Sequence, residues 1–399
     1  MDAREAALKA LTARRRSGAR LEPALAKAAE GLPARDAALA ARLCYGVTQN
    51  FGLIDLALKR LVKKTQPQVM DILRLGAYQL WYLDRVPRYA LTDEAVRLCK
   101  KTAPHAAGLV NAVLQNLPDT PPETDDPAVR HSLPRWFCER IGGLLPPEEL
   151  EPFFASCNAV PPVYIQRNTL RPFAERPGLT PCGSAPECYR LDDPALLDGL
   201  LRDGRGIVAD PAAKLAVTAL DPGPGEKVWD ACAAPGGKTL MAAFSMGNSG
   251  HILATDKSAE KLPLIRDALA RCAVTNTEVR RADASSFVPD GPFNAVLCDV
   301  PCSGFGVLRK KPDIRYRNQT EGLPALQLSI LRNAARAAGS GGRLVYCTCT
   351  LLPEENEDVV RKFLENDNTF AIEGMETLWP HRRDTDGFFI CGMRKKSRP

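Results

Sequence analysis

Apolar residues recur every three to four positions through the first 117 residues of the chain. The spacing is clear at Leu39 and Leu43 and clearest from Ile72 to Leu80. It places apolar side chains on one face of an α-helix, and short polar joints separate the helix-length segments. The pattern predicts a helical bundle over residues 1–120, in which no catalytic set of residues stands out.

The pattern changes twice further along the chain. Residues 121–135 are rich in proline and acidic residues, which predicts a linker. Residues 136–205 mix a predicted strand, Val163 to Leu170, with short apolar segments broken by Pro and Gly, which predicts a small mixed α/β domain. In residues 206–399, buried strands alternate with helix-length stretches, which predicts a parallel α/β sheet. The predicted strands of this sheet are Lys227 to Trp229, Ile252 to Thr255, Thr277 to Arg280, Ala295 to Leu297 and Arg343 to Cys347.

Composition adds the expectation of an ordinary folded protein with several domains. The chain has 399 residues, of which 45% are hydrophobic and 25% charged, and this composition excludes a disordered or collagen-like chain. Residues 1–120 carry 19 Lys and Arg against 11 Asp and Glu, a net charge of +8, while the remainder carries −2. Nucleic-acid affinity depends on such basic surfaces, so the first domain is a candidate RNA-binding domain.

Several classes of protein are not expected. No apolar run approaches the length of a membrane helix, and no secretory signal is visible at the start. The thirteen cysteines form no Cys-x-x-Cys pair and only four histidines are present, so neither a disulfide framework nor a metal site is predicted. We expect a cytoplasmic protein with free thiols, no metal and no membrane partner, and a monomer.

A glycine-containing loop follows the first strand of the predicted parallel sheet. Its sequence is Asp230-Ala-Cys-Ala-Ala-Pro-Gly-Gly-Lys-Thr239. Small residues and paired glycines allow a cofactor to approach the backbone, and ligands of such sheets bind beyond the carboxyl ends of the strands. Cys232 stands where a nucleotide-hydrolysing P-loop requires glycine, so neither that motif nor a dinucleotide-binding one is present.

Acidic residues and cysteines end the next four strands. Asp256 ends the second strand and is placed to accept hydrogen bonds from a ribose, and Asp283 follows the third, where it suits an adenine amino group. The fourth strand ends in Asp299-Val-Pro-Cys-Ser-Gly, and the fifth ends in Cys347-Thr-Cys349. Cys302 and Cys349 are therefore predicted to lie at neighbouring strand ends, beside an adenosyl ligand.

A basic segment follows the Cys302 loop directly. It is predicted to bind backbone phosphates of RNA and to stack a base on its tyrosine, the alternative being an exposed basic loop without that role. Its candidate RNA-binding residues are Arg309, Lys310, Lys311, Arg315 and Tyr316.

At these motifs the sequence resembles the RNA 5-methylcytosine methyltransferases that depend on S-adenosylmethionine. The resemblance covers roughly residues 206–397 and includes Thr385-Asp-Gly-Phe-Phe near the end. The first domain is similar to the NusB-type domain fused to bacterial enzymes that modify small-subunit (16S) ribosomal RNA, in Leu75-Gly-Ala-Tyr-Gln, Arg85-Val-Pro-Arg and Val110-Asn-Ala-Val-Leu. The resemblance implies a NusB-like domain over residues 1–120 and a Rossmann-like methyltransferase domain over residues 206–399. The helix that it implies after Asn168 is shortened in Arg171 to Gly178, in a middle domain of the RNA-recognition type.

The resemblance also implies roles for individual residues. Cys349 is the nucleophile that adds to C6 of a cytosine, Cys302 assists release of the methylated product, and Asp299 holds the base edge and lies near the cofactor. The residues implied to bind S-adenosylmethionine are Cys232, Ala233, Ala234, Pro235, Gly236, Gly237, Lys238, Asp256, Asp283 and Asp299. Lys238 is expected to offer its cation to the cofactor carboxylate.

Two questions stay open at this point. DNA cytosine methyltransferases attack with a Pro-Cys cysteine, so Pro301-Cys302 competes with Thr348-Cys349 for the nucleophile; the second pair is the RNA-family signature and is favoured. The implied activity is methylation of C5 of a cytosine in 16S ribosomal RNA. The alternatives are a transfer RNA substrate, or a binding or assembly factor for RNA without catalysis.

Overall fold

A computed structural model describes residues 1–84, 86–173, 177–317 and 320–397. The chain divides into two compact units. Unit 1 consists of Met1–Ala159 and Leu308–Arg317, and unit 2 consists of Val160–Val307 and Asn318–Pro399. The basic segment after the Cys302 loop therefore belongs to the first unit, although the sequence around it belongs to the second.

Unit 1 is helical, and the apolar stripes of its first seven helices form one core. Asp2 begins the first helix by accepting hydrogen bonds from the backbone N–H groups of Arg4 and Glu5, and Gly18 ends it at a φ of 65°. The helices are α1 (Ala3–Ser17), α2 (Leu21–Ala28), α3 (Ala34–Gln49), α4 (Phe51–Leu61), α5 (Pro67–Tyr82), α6 (Arg88–Thr102), α7 (Ala107–Asn116), α8 (Pro127–Arg130), α9 (Arg135–Gly142) and α10 (Pro147–Ser156).

The first unit extends further along the chain than the predicted domain of residues 1–120. The predicted linker, residues 121–135, contains α8, and the hydroxyl of Ser132 accepts a hydrogen bond of 2.8 Å from the backbone N–H of Gly52 in α4. Phe137 and Phe153 join α9 to α10, with ring centroids 6.2 Å apart. The proline-rich composition thus marks helix ends in a packed segment, and the middle domain starts near residue 160 instead of 136.

Unit 2 begins with a small antiparallel sheet whose strand order is β2-β3-β1-β4. Of the shortened segment noted in the sequence, residues 174–176 lie outside the described residues, as does Arg85 of unit 1. The elements are β1 (Tyr164–Arg167), β2 (Leu179–Pro181), β3 (Cys188–Leu191), α11 (Leu197–Arg202) and β4 (Gly206–Val208).

The larger part of unit 2 is a seven-stranded sheet of order β10-β11-β9-β8-β5-β6-β7. The strands from β5 to β9 pair in parallel, and β11 pairs antiparallel with both β9 and β10. The strands are β5 (Lys227–Asp230), β6 (His251–Asp256), β7 (Thr277–Arg281), β8 (Phe293–Asp299), β9 (Ala338–Thr348), β10 (Phe370–Leu378) and β11 (Phe388–Lys395).

Helices cover both faces of this sheet, because its central strands are apolar on both sides. One core packs against α12, α13 and α14, and the other, which contains the buried Trp229, packs against α15 and α16. These helices are α12 (Pro211–Leu220), α13 (Gly237–Ser245), α14 (Leu262–Arg271), α15 (Leu323–Ala337) and α16 (Glu357–Leu364). The predicted α plus α/β architecture is confirmed, and all five predicted strands of the parallel sheet are present. Among the described residues, no helix combines the length and the apolar character needed to cross a membrane.

Candidate active site

A cavity of about 480 Å³ opens at the carboxyl ends of the parallel strands. Each of the five strands contributes to its lining, because parallel strands end at the same edge of a sheet. The contributing residues, in strand order from β5 to β9, are Cys232, Asp256, Asp283, Cys302 and Cys349. Both predicted reactive cysteines and five of the ten predicted cofactor residues therefore line one cavity; the five are Cys232, Ala234, Asp256, Asp283 and Asp299. The other five are not among its lining residues: Ala233, Pro235, Gly236, Gly237 and Lys238.

The loop after β5 is fixed to the end of β6. The backbone N–H of Ala234 donates to Oδ2 of Asp256 at 3.1 Å, and Ser258 donates its backbone N–H to the other oxygen at 2.8 Å. Gly236 has a φ of 104°, a conformation that a side chain disfavours. At Gly237 a Cβ atom would meet only open space, so the loop backbone is accessible where α13 begins.

Asp283 follows β7, which lies at the opposite end of the parallel strands from β9. The two cysteine loops follow β8 and β9. The carboxylate of Asp283 accepts hydrogen bonds from the hydroxyl and the backbone N–H of Ser285, at 2.6 and 3.0 Å. Lys257 approaches its second oxygen at 3.1 Å. The hydroxyl of Ser285 is the main cause that lowers the pKa of Asp283, so this side chain is a carboxylate at neutral pH.

Lys238 contacts a protein carboxylate instead of standing free for a ligand. Its ammonium Nζ lies 2.7 Å from Oδ2 of Asp299, at the end of β8. Burial is the largest single influence and would lower the pKa of Lys238, but the charge and hydrogen bond of Asp299, together with the neighbouring Cys347 and Cys349, raise it overall. The expected contact of Lys238 with a cofactor carboxylate thus competes with an ion pair that the sequence did not indicate.

The two cysteines contact each other. The Sγ atoms of Cys302 and Cys349 are 3.0 Å apart, and the backbone N–H of Cys349 donates to Sγ of Cys302 at 3.3 Å. Both side chains are partly exposed, whereas most of the other cysteines are buried. The hydrogen bond to Cys349, followed by burial, raises the pKa of Cys302, so the proton stays on Cys302 at neutral pH.

A close approach of two glycines joins the cysteine loops to the start of β11. The backbone N–H of Gly306 donates to the carbonyl of Cys349, and the N–H of Gly387 donates to the carbonyl of Gly306, both at 2.9 Å. A Cβ atom on Gly306 would lie only 1.9 Å from the carbonyl oxygen of Gly387. The glycine of the Thr385-Asp-Gly-Phe-Phe motif is therefore explained by the contact between the backbones of Gly387 and Gly306.

Beneath the cavity, the first residue of the glycine-containing loop is a buried carboxyl group. Oδ2 of Asp230 accepts a hydrogen bond of 2.6 Å from the hydroxyl of Thr239. Burial raises the pKa of Asp230 to about 7. Sequence reasoning assigned Asp230 no role, since an acid at a strand end carries no sign of its burial.

Sequence reasoning also missed three buried polar residues around the cysteines: Gln327, Glu355 and Asn356. Their side chains hydrogen-bond to the residues that flank Cys302 and Cys349. The available signal was the polar run Pro353-Glu-Glu-Asn356, which follows a predicted strand end by a few residues.

The predicted RNA-binding segment is largely held within unit 1. Arg309 and Arg315 are buried, Lys310 is half-buried and Lys311 is exposed. The hydroxyl of Tyr316 donates to the carbonyl of Thr48 at 3.0 Å. The ring of Tyr316 packs edge-on against Phe51, and the guanidinium of Arg14 lies 4.8 Å from its centroid.

Arg315 shows why a basic residue here does not imply RNA contact. Its side chain is 3% exposed, and its guanidinium donates to the carbonyls of His131 and Cys157 and to the side-chain oxygen of Asn158, at 3.0, 3.2 and 2.9 Å. The prediction that Arg315 binds phosphate needs correction, because its donors are used within unit 1. Tyr316 is 39% exposed, so the stacking of a base on its ring stays a prediction. Lys311 remains an RNA-binding candidate by its exposure.

Comparisons with known proteins match both parts of the chain. Residues 217–394 match the family model described as 16S rRNA methyltransferase RsmB/F, and residues 1–119 match the NusB family. The probable ribosomal RNA small subunit methyltransferase B of Bacillus subtilis is 34% identical over 406 residues, covering 90% of each chain. The ribosomal RNA small subunit methyltransferase B of Pseudomonas putida is 32% identical, covering 91% of this chain and 89% of the relative. The crystal structure of PH0851 superimposes with a TM-score of 0.81 at 27% identity, covering 98% of both chains.

Proposed function

Because the chain belongs to the 16S rRNA methyltransferase RsmB/F family of RNA methyltransferases, we propose that it methylates C5 of a cytosine in 16S ribosomal RNA, using S-adenosylmethionine and a covalent adduct to Cys349. The observation that carries this proposal is the pair of cysteine sulfurs, 3.0 Å apart, at the wall of the strand-end cavity. The NusB match and the names of the relatives favour ribosomal over transfer RNA. The activity belongs in the cytoplasm, where ribosomal subunits are assembled.

The cavity fits S-adenosylmethionine. Its volume of about 480 Å³ lies within the roughly 300–1,000 Å³ of small-molecule sites. Asp256 would accept hydrogen bonds from the ribose, and Asp283 would accept one from the adenine amino group. The accessible backbone at Gly237 and the positive end of α13 suit the carboxylate of the methionine part. When bound, the cofactor supplies an electrophilic methyl group.

The environment of Cys302 favours Cys349 as the nucleophile. A thiolate, not a thiol, attacks carbon. The hydrogen bond to Cys349 and burial raise the pKa of Cys302, which disfavours a thiolate at Cys302. Either sulfur can donate in the 3.0 Å contact, and the proposal assigns the donated proton to the Cys302 thiol.

The thiolate is needed because C5 of cytosine is a weak nucleophile. When the sulfur of Cys349 adds to C6, the C5–C6 π bond breaks and its electron pair moves to C5, which then takes up the methyl group. Loss of H5 as a proton to solvent restores the double bond, and the C6–S bond breaks with its electron pair returning to sulfur. The thiol of Cys302 stabilises the departing thiolate, and Asp299, which is paired with Lys238, accepts a hydrogen bond from the 4-amino edge of the base.

Alanine substitution of each cysteine tests the proposal. With 16S ribosomal RNA and S-adenosylmethionine, Cys349→Ala should lose both methyl transfer and the covalent protein–RNA adduct. Cys302→Ala should still form the adduct and accumulate it, because departure of the Cys349 sulfur becomes slow. Denaturing gels that resolve the adduct provide the readout. The opposite pattern would make Cys302 the nucleophile, and absence of an adduct from both the native protein and Cys302→Ala would refute the covalent mechanism.

Bisulfite sequencing tests the substrate. Ribosomal and transfer RNA from cells with and without the gene would be compared, and we expect a cytosine in 16S ribosomal RNA to lose protection in the deletion strain. Loss of protection in transfer RNA alone would move the proposal to that substrate. Isothermal titration with S-adenosylmethionine provides an independent test, since a protein without catalysis that only binds RNA need not bind the methyl donor.

A further inference from the structure

Two buried residues that are adjacent in the chain each hold one of the two cysteine loops. Glu355 ends a 3-10 turn that starts at Pro353, and Asn356 follows it immediately before α16. Both are almost fully buried, with exposed fractions of 0% and 1%. Burying a polar side chain is costly unless it is hydrogen-bonded, so the partners of Glu355 and Asn356 indicate what these side chains hold. Glu355 makes its hydrogen bonds through Oε2, and its Oε1 has no partner among the described residues.

Glu355 holds the backbone at Ser303, the residue that follows Cys302. Its Oε2 oxygen accepts the backbone N–H of Ser303 at 2.9 Å and the side-chain amide of Gln327 at 2.9 Å. The same nitrogen of Gln327 donates to the carbonyl of Pro301 at 3.0 Å. The residues before and after Cys302 are therefore fixed by one connected set of hydrogen bonds, which reaches from α15 to the turn before α16.

Asn356 does the same for Cys349. Its Oδ1 oxygen accepts the hydroxyl of Thr348 at 2.6 Å, and its Nδ2 nitrogen donates to the carbonyl of Thr350 at 3.0 Å. These two residues flank the nucleophile. The hydroxyls of Ser303 and Thr350 lie 2.9 Å apart and connect the two loops.

We infer that Glu355 and Asn356 are positioning residues that set the Cys302–Cys349 sulfur contact, with Glu355 serving the release step and Asn356 the attack step. Neither side chain lines the cavity, so each acts through the cysteine loop that it holds. Gln327 completes the set of hydrogen bonds through which Glu355 holds the Cys302 loop. Because one peptide bond joins the two residues, movement of the turn displaces both cysteine loops together. The inference rests on the proposed function, since it assigns Glu355 to the release step and Asn356 to the attack step of that mechanism.

The experiment separates the two steps with two RNA substrates. Full-length 16S ribosomal RNA transcribed with 5-fluorocytidine lacks the H5 that must leave, so its adduct reports attack and methyl transfer without release. The unmodified transcript reports release, because an adduct accumulates there only when the C6–S bond breaks slowly. Variants of Glu355, Asn356 and Gln327 are compared with the native protein, and S-adenosylmethionine binding is measured in each.

We expect the two neighbours to have opposite phenotypes. Glu355→Ala should form the fluorinated adduct within about threefold of the native rate but turn over at least about tenfold more slowly, with adduct accumulating on the unmodified transcript. Asn356→Ala should form the fluorinated adduct at least about tenfold more slowly and accumulate none. Glu355→Gln keeps an oxygen acceptor at the same place and should return turnover to within about threefold of native. Cofactor binding should be unchanged in all three.

The chain contains a matched control. Glu365 and Asn366 repeat the Glu-Asn pair at the exposed end of α16, and their alanine variants should behave as native protein. If Glu355→Ala does not fold, Gln327→Met removes the other side chain that holds the Cys302 loop and should reproduce the phenotype expected for Glu355→Ala. The inference is overturned if the Glu355 and Asn356 variants share one phenotype or match the native protein. Failure of the native protein to form the fluorinated adduct would instead refute the proposed function itself.

Discussion

Each unit of the molecule contains a cation that is largely shielded from solvent, and the partners of the two cations differ. In unit 1, Arg315 donates to carbonyl and amide oxygens, which are neutral and belong to the surrounding backbone and side chains. In unit 2, Lys238 contacts the carboxylate of Asp299, which lines the cavity. A buried cation that uses its donors on backbone carbonyls stabilises a fold, whereas one paired with a cavity-lining acid sets the charge of a site. The partners, more than the residue type, separate the two roles.

The largest expected effect tests the structural role of Arg315. Arg315→Met should lower the free energy of unfolding by about 3–5 kcal/mol, because several buried oxygens lose their donor at once. Urea denaturation followed by circular dichroism measures the change, and the exposed Lys311→Met is the control. Methyl transfer per folded molecule should remain. Unchanged stability together with weaker RNA binding would contradict the comparison and return Arg315 to the RNA-binding residues.

The second prediction tests the functional role of Lys238. Lys238→Met should lower the rate of methyl transfer by about 100-fold, the size typical for loss of one preorganised charged group. Asp299 would lose its cationic partner at the cavity wall. Initial rates with saturating RNA measure the effect. Lys227→Met, at the opposite end of β5, should keep the native rate; an equal loss there would show that the Lys238 effect is not specific to the site.

The third prediction uses Asp230, a buried acid without a buried cation bonded to it. Its pKa in the folded protein is about 7, against about 3.9 for a free aspartate, so the folded state binds more protons than the unfolded state between these values. Stability should therefore fall as the pH rises from about 4 to 7, by about 2–3 kcal/mol between pH 5 and 8.

Asp230→Asn isolates this contribution. The variant cannot ionise at this position, so its free energy of unfolding should decline less than that of the native protein between pH 5 and pH 8. Thr239→Val, which removes the hydrogen bond to Asp230, controls for the loss of that contact. Parallel pH profiles of native protein and Asp230→Asn would mean that Asp230 ionises normally in the folded protein.

The smallest expected effect concerns Lys311, an exposed cation of the basic segment. Lys311→Gln should weaken binding of 16S ribosomal RNA by about threefold and lower the slope of affinity against salt by about one ion. Filter binding at several salt concentrations measures both. Stability should not change. An unchanged salt slope would leave the segment without any contact to RNA phosphates.

The elements that the sequence predicted best are those with a local pattern of apolar and polar residues. The five parallel strands were found because runs such as Ala295 to Leu297 are apolar on both faces. The pair β10 and β11 was missed, since most of β10 is exposed and its strand character comes from pairing with β11. The extent of unit 1 was missed because proline-rich segments also occur at the ends of packed helices, as in residues 121–135.

The residues of the site also divide into those that have a local sequence pattern and those that do not. Its cysteines, its two strand-end acids and its glycine-containing loop follow one another in recognisable motifs, and the cavity brings them together. Gln327 and Glu355 are 28 positions apart, and only the fold shows that they meet beside Cys302. Lys238 was expected to face a ligand, and its pairing with Asp299 depends on the distance between two loops. Contacts between distant segments carry no local pattern, so these residues became visible only in three dimensions.

The discontinuity of unit 1 has a practical consequence for dissecting the protein. The chain enters unit 1 a second time at Leu308 and leaves it after Arg317, so a single proteolytic or genetic cut near residue 160 does not separate two self-contained pieces. The C-terminal fragment would retain ten residues of unit 1. Among them is Arg315, whose hydrogen-bond acceptors include the carbonyls of His131 and Cys157 on the other fragment. Complementation by co-expressing the two fragments, instead of study of either alone, is the appropriate way to divide this chain.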